Sequence, residues 1–330
     1  MASKEVLRLI KIEKQQKTGS LKLEYKKLTK LPDELLELTH LHTLSLRTNQ
    51  ISDYSSLTKL TNLQTLDLSE NPNSDYSSLE QLTNLQTLHL RYNPSSNYSS
   101  LEKLPNLQSL DLSHNKISDY GFLEKLSRLQ ILDIGDNKIS NISFLGNLIN
   151  LKSLSLSYNK ILDASILEKL INLYSLNLMG NKISKIHFLN KLPNLKSLYL
   201  RYSNISDYSC LEKLTKLETL FLSDNKILDY TFLKKLTNLQ SLYLSENMIS
   251  DLSFLEKLTN LQLLILHSNQ IWDISVLKNL VNLQFLNLSG NHISDISPLE
   301  NLTKLHTLSF GLNQISDISS LNKLINLHTL

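Results

Sequence analysis

The feature that most constrains this chain of 330 residues is a 22-residue repeat. The pattern L-x-x-L-x-L-x-x-N recurs thirteen times without an insertion, with its asparagine at Asn49, Asn71 and Asn93 and so on at the same spacing to Asn313. Ser203 replaces one of these asparagines, a looser unit begins at Leu21, and a partial unit ends at Leu330. A fixed period of this kind predicts a stack of near-identical units, each of which contacts only its neighbours.

The spacing of apolar residues within a unit predicts its local structure. Leu44 and Leu46 alternate with polar residues, which indicates a short β-strand with both leucines on the buried face. Ile51, Tyr54 and Leu57 follow at steps of three, which favours a 3₁₀ turn on the return path. One unit cannot bury its own leucines, so the strands of successive units must pair in parallel and share a core.

These motifs resemble those of the leucine-rich repeat family over residues 21–330, and unit tails such as NHISDISPLENLTKL are similar to those of the 22-residue class of internalins and phosphatase-regulator proteins. The entry segment LKLEYKKLTKLPDEL is similar to the start of bacterial Roco-type repeat domains. The resemblance implies an α/β solenoid, a right-handed horseshoe with a parallel concave β-sheet and a short convex side of 3₁₀ turns and loops. We expect an N-terminal capping helix in residues 1–20 and about 14 repeat units in residues 21–330, the last of them truncated.

The segment before the first repeat predicts a helix that covers the first rung of the core. Ser3 is the expected N-cap and Gly19 the expected C-terminal stop. The side chains expected to cover the core are apolar, together with the stem of one glutamate: Val6, Leu9, Ile10 and Glu13. A basic helix on a membrane surface is the alternative, but the apolar face is short and carries no Trp or Phe.

Three polar rows recur with the same period, and we interpret all three as structural. The asparagines of the Asn49 row are expected to bind backbone groups where each strand turns inward, and a second row of asparagines begins at Asn62. The aspartates of the Asp53 row precede the turns, so we expect turn caps rather than a calcium site. Pro72 and Pro94 open two atypical units that predict either a softer stretch or a local surface feature.

Composition and charge exclude several classes of protein. Seven glycines leave little for a nucleotide-binding loop, and Cys210 alone can form neither an internal disulfide framework nor a cysteine-rich zinc site. The net charge of +3 arises within residues 1–40, and the remainder is balanced, so no basic surface for nucleic acid is expected. No apolar run reaches the length of a membrane span, and the charged N-terminus is unlike a signal peptide. We expect a cytoplasmic protein.

The central position of each strand, between the paired leucines, is where function is expected. In the second half of the chain it carries Tyr199, Phe221, Tyr243 and Ile265 on four consecutive rungs. Contiguous exposed aromatic side chains indicate a site for a protein or peptide. The flanking positions add further residues to this predicted surface: Leu263 and Phe285 on one side, and Arg201, Tyr202 and His267 on the other. The alternative is that the rings only shield the sheet.

In the first half of the chain the same position is acidic. It carries Asp67, His89, Asp111 and Asp133, with Asp136 close by. We predict a partner-facing acidic patch. A metal site is less favoured, because a row of ligands converges less well than a cluster.

We therefore expect a non-enzymatic scaffold that binds a protein or peptide on its concave face, without cofactor or metal, and without a catalytic motif. The Roco resemblance implies an alternative, the regulatory segment of a larger GTPase, and a phosphatase-regulatory subunit is another. A secreted internalin-like adhesin is disfavoured by the lack of a signal peptide. The strand that ends at Leu330 is expected to be uncovered, which indicates a fragment of a longer protein or end-to-end self-association.

Overall fold

The computed structural model describes residues 3–71, 75–93, 97–203 and 205–330. The chain divides into two compact units, Met1–Asn159 and Lys160–Leu330. Pro72 and Pro94, which mark the two atypical repeats, lie outside the described residues. The interpretation of those two repeats therefore stays a prediction.

Besides 3₁₀ helices, the described residues of the first unit form one α-helix and seven short strands. The helix α1 spans Lys4–Gln16. The strands pair in parallel in the order of the chain, and from the second strand onward each pairs in the register of the repeat, as Leu44 does with Leu66. They are β1 Ser20–Lys22, β2 Thr43–Ser45, β3 Thr65–Asp67, β4 Thr87–His89, β5 Ser109–Asp111, β6 Ile131–Asp133 and β7 Ser153–Ser155.

The second unit repeats the arrangement with seven more strands. They too pair in parallel in chain order and in the register of the repeat, as Leu220 does with Leu242. The strands are β8 Ser175–Asn177, β9 Ser197–Tyr199, β10 Thr219–Phe221, β11 Ser241–Tyr243, β12 Leu263–Ile265, β13 Phe285–Asn287 and β14 Thr307–Ser309. Parallel strands joined by short return segments confirm the predicted solenoid in each unit.

The return segments are 3₁₀ helices, as the spacing of three predicts. In the first unit they span Asp33–Glu37, Ser55–Lys59, Ser77–Gln81, Ser99–Lys103, Gly121–Lys125 and Ser143–Asn147. In the second unit they span Ser165–Lys169, His187–Lys191, Ser209–Lys213, Thr231–Lys235, Ser253–Leu255, Ser275–Asn279, Ser297–Leu299 and Ser319–Lys323. Each aspartate of the Asp53 row accepts a hydrogen bond from the backbone N–H two residues later, for example 2.8 Å from Ser55 to Asp53, which confirms the turn caps.

The core combines leucines with a buried row of asparagines. Leu44 and Leu46 have no exposed surface. Asn159 is an example from this row: its Nδ2 donates to the carbonyls of Leu156 at 2.9 Å and Ile134 at 3.0 Å. Its Oδ1 accepts from the backbone N–H of Ile139 at 2.8 Å. The row thus pairs backbone groups that the strands leave unpaired where they end, and the predicted structural role is confirmed.

The residue before each row asparagine adopts the left-handed conformation, with φ between 52° and 69°. Only two of the thirteen are glycine. They are Thr48, Glu70, Tyr92, His114, Asp136 and Tyr158 in the first unit, and Gly180, Tyr202, Asp224, Glu246, Ser268, Gly290 and Leu312 in the second. A non-glycine residue pays roughly 1 kcal/mol for this conformation, which the stacked repeats impose.

Helix α1 begins and ends within one residue of the span Ser3–Lys17 that the sequence predicts. The hydroxyl of Ser3 accepts from the N–H of Val6 at 3.2 Å, which confirms the N-cap. The helix ends at Gln16, and Lys17, not Gly19, is the left-handed residue that caps it, at φ 48°. Gly19 (φ 78°) lies in the connection to β1, where a Cβ atom would be 2.9 Å from Nδ1 of His42.

The helix is fixed to the first strand by a buried carboxylate. Val6 and Ile10 are buried as predicted, whereas Leu9 is half-buried. Glu13 contributes more than its stem: its carboxylate accepts from the backbone N–H of Gly19 at 2.8 Å, from the hydroxyl of Thr18, and contacts His40 at 2.9 Å. Burial alone raises the pKa of Glu13, but these hydrogen bonds outweigh burial and hold the pKa below its usual value.

Candidate partner-binding surfaces

The second unit brings three aromatic side chains into one continuous stack, which we call the aromatic stripe: Tyr199, Phe221 and Tyr243. They are aligned in register on β9, β10 and β11. The ring centroids of Tyr199 and Phe221 are 4.6 Å apart, and those of Phe221 and Tyr243 are 3.7 Å apart at an interplanar angle of 11°. Ile265 continues the row on β12. All four side chains are half-buried, so one face of the stack remains accessible to a partner.

The stripe forms because parallel strands place equivalent side chains about 4.8 Å apart, close to the separation at which aromatic rings stack. Each pair contributes roughly 0.5–1.5 kcal/mol beyond its buried area. Burial, and the proximity of Tyr199, raise the pKa of the Tyr243 hydroxyl. The stripe is therefore a rigid, neutral and largely apolar surface at neutral pH.

A row of charged side chains borders the stripe on the side where the strands end. Arg201 Nε donates to the carboxylate of Asp224 at 2.7 Å, and its terminal nitrogen donates to the hydroxyl of Tyr202 at 2.8 Å. The neighbouring carboxylate of Asp224 raises the pKa of Glu246, and the nearby charge of His267 opposes that shift. The sequence predicts Arg201 as a partner contact, but the structure already commits its guanidinium to groups within the unit.

On the other side of the stripe the predicted apolar residues lie side by side. Leu263 and Phe285 face each other in register on β12 and β13, and both are half-buried. The structure thus brings together the residues that the sequence assigns to this surface. Their role in binding stays a prediction.

In the first unit the acidic residues at the central position have a structural function that the sequence did not reveal. Asp67, Asp111 and Asp133 each accept, through Oδ1, the backbone N–H two residues later, at 2.9 Å in all three cases. This local bond is an Asx turn that ends the strand. In the second unit Asn177 and Asn287 make the same bond, at 3.0 Å each. An acidic side chain at this position is therefore explained by the backbone alone.

His89 and Asp136, the other residues of the predicted acidic patch, each lie beside groups of the opposite type. His89 lies in register between Asp67 and Asp111. Nδ1 of His114 is 2.8 Å from the carboxylate of Asp136, the neighbour predicted to belong to the patch. Burial raises the pKa of Asp133 despite the bond from Gly135, and the negative charge of Asp111 adds to the shift.

Basic and aromatic side chains also lie near the predicted acidic patch, so its negative charge is partly offset. The guanidinium of Arg91 lies 4.9 Å from the ring centroid of Tyr92, and the ring of Tyr92 stacks on His114 at 4.3 Å. The positive charge of Arg91 lowers the pKa of Glu70, after the larger effect of Arg47. Within the described residues, no group of three or more His, Cys, Asp or Glu side chains is placed to hold a metal ion.

Sequence reasoning also missed an exposed apolar group on the loop edge of the second unit. Leu228, Met248 and Trp272 are 94%, 56% and 67% exposed. The signal was available in the sequence, because Leu228 and Trp272 stand where most repeats have serine, and Met248 stands where no other repeat has a large apolar residue. The described part of the chain contains no helix with the length and hydrophobicity of a transmembrane segment.

Comparison with known proteins places the repeats in a family. A family model described as leucine-rich repeats in two copies matches residues 39–81, 105–147, 193–235, 237–279 and 281–323. A second model, of a leucine-rich repeat, matches residues 150–171. No curated protein sequence gives a significant match.

Solved structures share the fold. An internalin (inlF) from Listeria monocytogenes is 30% identical over 99% of this chain and 94% of that chain, with a TM-score of 0.71. The Toll–Spätzle complex of Drosophila is 25% identical over 94% of this chain and 46% of that chain, with a TM-score of 0.70. A complex of TLR13 with ssRNA13 is 26% identical over 90% of this chain and 50% of that chain, with a TM-score of 0.65.

The matched models cover more than half of the residues, and the similarity to the internalin extends over almost the full length of both chains. The parallel strands, the 3₁₀ return segments and the asparagine row agree with this assignment. The resemblance to internalins is thereby confirmed, whereas the resemblance to Roco domains finds no support. The chain belongs to the leucine-rich repeat family, and its repeats are of the internalin-like class.

Proposed function

We propose that this protein is a non-enzymatic scaffold that binds a protein or peptide partner through the aromatic stripe of its second unit. The observation that carries the proposal is the stack of half-buried rings of Tyr199, Phe221 and Tyr243 on three consecutive strands. Tyrosine and other large rings dominate the energetics of protein interfaces, because they bury much area while losing little conformational entropy. Partners of the stripe should therefore present apolar or aromatic side chains.

A protein partner is favoured over a nucleic acid by the charges beside the stripe. The structural neighbours include a complex with the protein Spätzle and a complex with ssRNA. Binding of RNA requires cationic side chains that can neutralise phosphates. Arg201 is paired with Asp224, and Glu246 adds a further carboxylate, so the border of the stripe offers little positive charge.

The absence of catalysis is part of the proposal and is supported by the state of the one cysteine. Cys210 is buried, and burial, together with the charge of Asp207, raises the pKa of its thiol to about 11. A thiol with this pKa is a poor nucleophile at neutral pH. A single cysteine also favours a cytoplasmic location. Regulation of a GTPase or of a phosphatase remains an alternative without a specific structural observation in its favour.

The test compares binding by two triple variants. Tyr199→Ala/Phe221→Ala/Tyr243→Ala removes the stripe and should weaken capture of the protein's partners by more than about 30-fold, as loss of a hot spot does. The matched control is Gln240→Ala/Gln262→Ala/Gln284→Ala. It removes three exposed side chains, each from the residue immediately before β11, β12 or β13. Equal recovery of the same partners by wild type and by the stripe variant would show that the stripe is not the site. Circular dichroism must show that both variants keep the native fold.

Self-association through the last repeats is a second, separate part of the proposal. Leu312 and Ile325 are 88% and 82% exposed, which is unusual for large apolar side chains. Contact between such ends would make the apparent mass rise with concentration. Light scattering of wild type and Ile325→Lys tests this part, and a mass that is independent of concentration in both would exclude it.

A further inference from the structure

Three apolar side chains lie close together on the loop edge of the second unit, at positions where most repeats have a polar residue. Leu228 and Trp272 occupy a position that is serine in most repeats, such as Ser250, and Met248 occupies a position where Lys226 stands in the preceding repeat. Because these side chains are mostly exposed, they contribute little to the core. The repeat pattern shows that polar residues suffice there, so the fold does not account for the substitutions.

The three side chains line two adjoining grooves between successive turns. Leu228 and Met248 line a groove of about 290 Å³, and Trp272 lines the next one, of about 610 Å³. Ser250 and Asp251 line both grooves. Together the grooves form one continuous surface across three repeats, which we call the Trp272 groove.

The charge of the Trp272 groove is negative. Carboxylates outnumber amines among its lining residues: Asp229, Asp251, Glu256 and Asp273 against Lys234 and Lys278. Backbone N–H groups of Thr231 and Ser253 lower the pKa of Asp229 and Asp251, so both stay ionised at neutral pH. An exposed indole among carboxylates attracts a cation over its face.

We propose that the Trp272 groove docks an extended peptide segment that carries an arginine or lysine near a large apolar side chain. The cation lies over the indole of Trp272, among the carboxylates of Asp251 and Asp273, and the apolar side chain packs against Leu228 and Met248. Two repeats separate Leu228 from Trp272, or roughly 10 Å, which three residues of extended chain span. The expected motif is therefore Leu-x-x-Arg. This inference does not depend on the aromatic stripe.

The test uses Trp272 as its own reporter, since it is the only tryptophan of the chain. Wild-type protein is titrated with a blocked peptide of sequence Leu-Gly-Ser-Arg-Gly, and tryptophan emission is recorded. We expect a saturable change that weakens at high salt, and at least tenfold weaker binding of the peptide in which glutamate replaces arginine. A response of equal strength to both peptides would overturn the proposal.

Variants that restore the repeat pattern test the site without risk to the fold. Leu228→Ser and Met248→Lys should each weaken binding severalfold. Trp272→Ser should weaken binding at least tenfold, and because this variant lacks the fluorescent reporter its binding is measured by calorimetry. Leu162→Ser is the matched control, because Leu162 is an exposed leucine at the same repeat position outside the groove. Binding unaffected by Trp272→Ser, or lost equally in Leu162→Ser, contradicts the proposal. So does a saturable response to maltohexaose with none to the basic peptide, which would assign the groove to glycans.

Discussion

The same position of the repeat has opposite uses in the two units. In the first unit Asp133 accepts the backbone N–H of Gly135 at 2.9 Å and serves the turn that follows its strand. In the second unit Tyr243 occupies the equivalent position, where its ring stacks on Phe221 at 3.7 Å. An aromatic ring cannot accept the backbone hydrogen bond, so the stripe gives up a local stabilising contact on each of its strands.

The comparison also shows which sequence signal is informative. Asn177 in the second unit makes the bond that Asp111 makes in the first. Because an uncharged amide serves equally well there, the acidic row does not by itself indicate a binding patch. The aromatic row makes no such bond to the backbone of its own repeat; its rings contact those of the adjacent repeats.

The largest effects should come from the buried asparagine row, which is common to both units. Asn159→Ala and Asn247→Ala remove side chains that are 6% and 1% exposed and leave several backbone groups unpaired. Each substitution should lower the free energy of unfolding by roughly 2–4 kcal/mol, since an unpaired buried group costs about 1–3 kcal/mol. Urea denaturation gives the values, and similar losses in the two units would show that they rely on the same ladder.

The second asparagine row supplies the control for that measurement. Asn62 and Asn260 are exposed and each donates a single bond of 2.9 Å to a carbonyl of the preceding repeat. Replacement by alanine should cost less than about 1 kcal/mol, because water can replace the bond. A loss at Asn62 or Asn260 as large as that at Asn159 would contradict the assignment of the energy to burial.

The next largest losses of stability should differ between the central strand positions of the two units. Asp111→Leu removes the acceptor for the N–H and hydroxyl of Ser113, at 2.9 and 2.7 Å, and should cost about 1–2 kcal/mol. Asp111→Asn keeps an acceptor and should cost much less. At Tyr243, which makes no such bond, leucine should cost only the stacking energy, of order 1 kcal/mol. Thermal unfolding of the three variants measures the difference.

A loss in Asp111→Asn equal to that in Asp111→Leu would mean that the charge, and not the Asx turn, holds the first unit together. That result would restore the acidic patch as a feature to be explained. It would also weaken the contrast on which the assignment of the stripe depends.

The sequence predicts the repetitive part of this structure well, because one local solution is used thirteen times. The strand around Leu44, the 3₁₀ turn after Asp53, and the N-cap at Ser3 follow from residue type and spacing alone. The rows of side chains along successive strands follow too, since the constant register of the repeats aligns Tyr199 with Phe221. The N-terminal helix, which precedes the repeats, is capped by Lys17 and not by Gly19.

What the sequence could not provide is geometry that depends on neighbours. The left-handed conformation at Glu70 and Leu312 is imposed by the stack, and neither residue type signals it. The carboxylate of Glu13 is buried because Gly19 and His40 enclose it, and no pattern within the helix indicates that. Pairing of Arg201 with Asp224 likewise arises from two adjacent repeats.

A gain in the free energy of unfolding, smaller than the losses above, is expected at the one position of the second unit where serine replaces the row asparagine. Ser203 is buried where other repeats place asparagine. Its side chain is too short to reach the carbonyls of Leu200 and Leu178, to which an asparagine at this position would donate. Ser203→Asn should restore these bonds and raise the free energy of unfolding by about 1 kcal/mol. Equilibrium denaturation measures the gain. A loss of stability would show that the backbone around this position has adapted to serine.

The smallest effect we expect is a pH dependence at Asp133. Its pKa is raised in the folded protein, mainly by burial, so folding holds the proton more tightly than the unfolded chain does. The stability that this proton contributes is present below the unfolded pKa and is lost as pH rises through the folded pKa. Asp133→Asn keeps the acceptor for Gly135 and removes the charge. Its stability should therefore exceed that of wild type at about pH 7 and converge with it toward about pH 3.

Asp163 in the second unit provides the control of opposite sign. The N–H and hydroxyl of Ser165 lower the pKa of Asp163, so its contribution is present above the unfolded pKa and is lost as pH falls. Asp163→Asn should thus be less stable than wild type near pH 7 and equal to it at low pH. If Asp133→Asn behaves like Asp163→Asn, the carboxylate at Asp133 stabilises the first unit as an ion. The central aspartates of the first unit would then stabilise the fold in a way that Asn177 and Asn287 cannot. The two units would differ at this position even though both form Asx turns there.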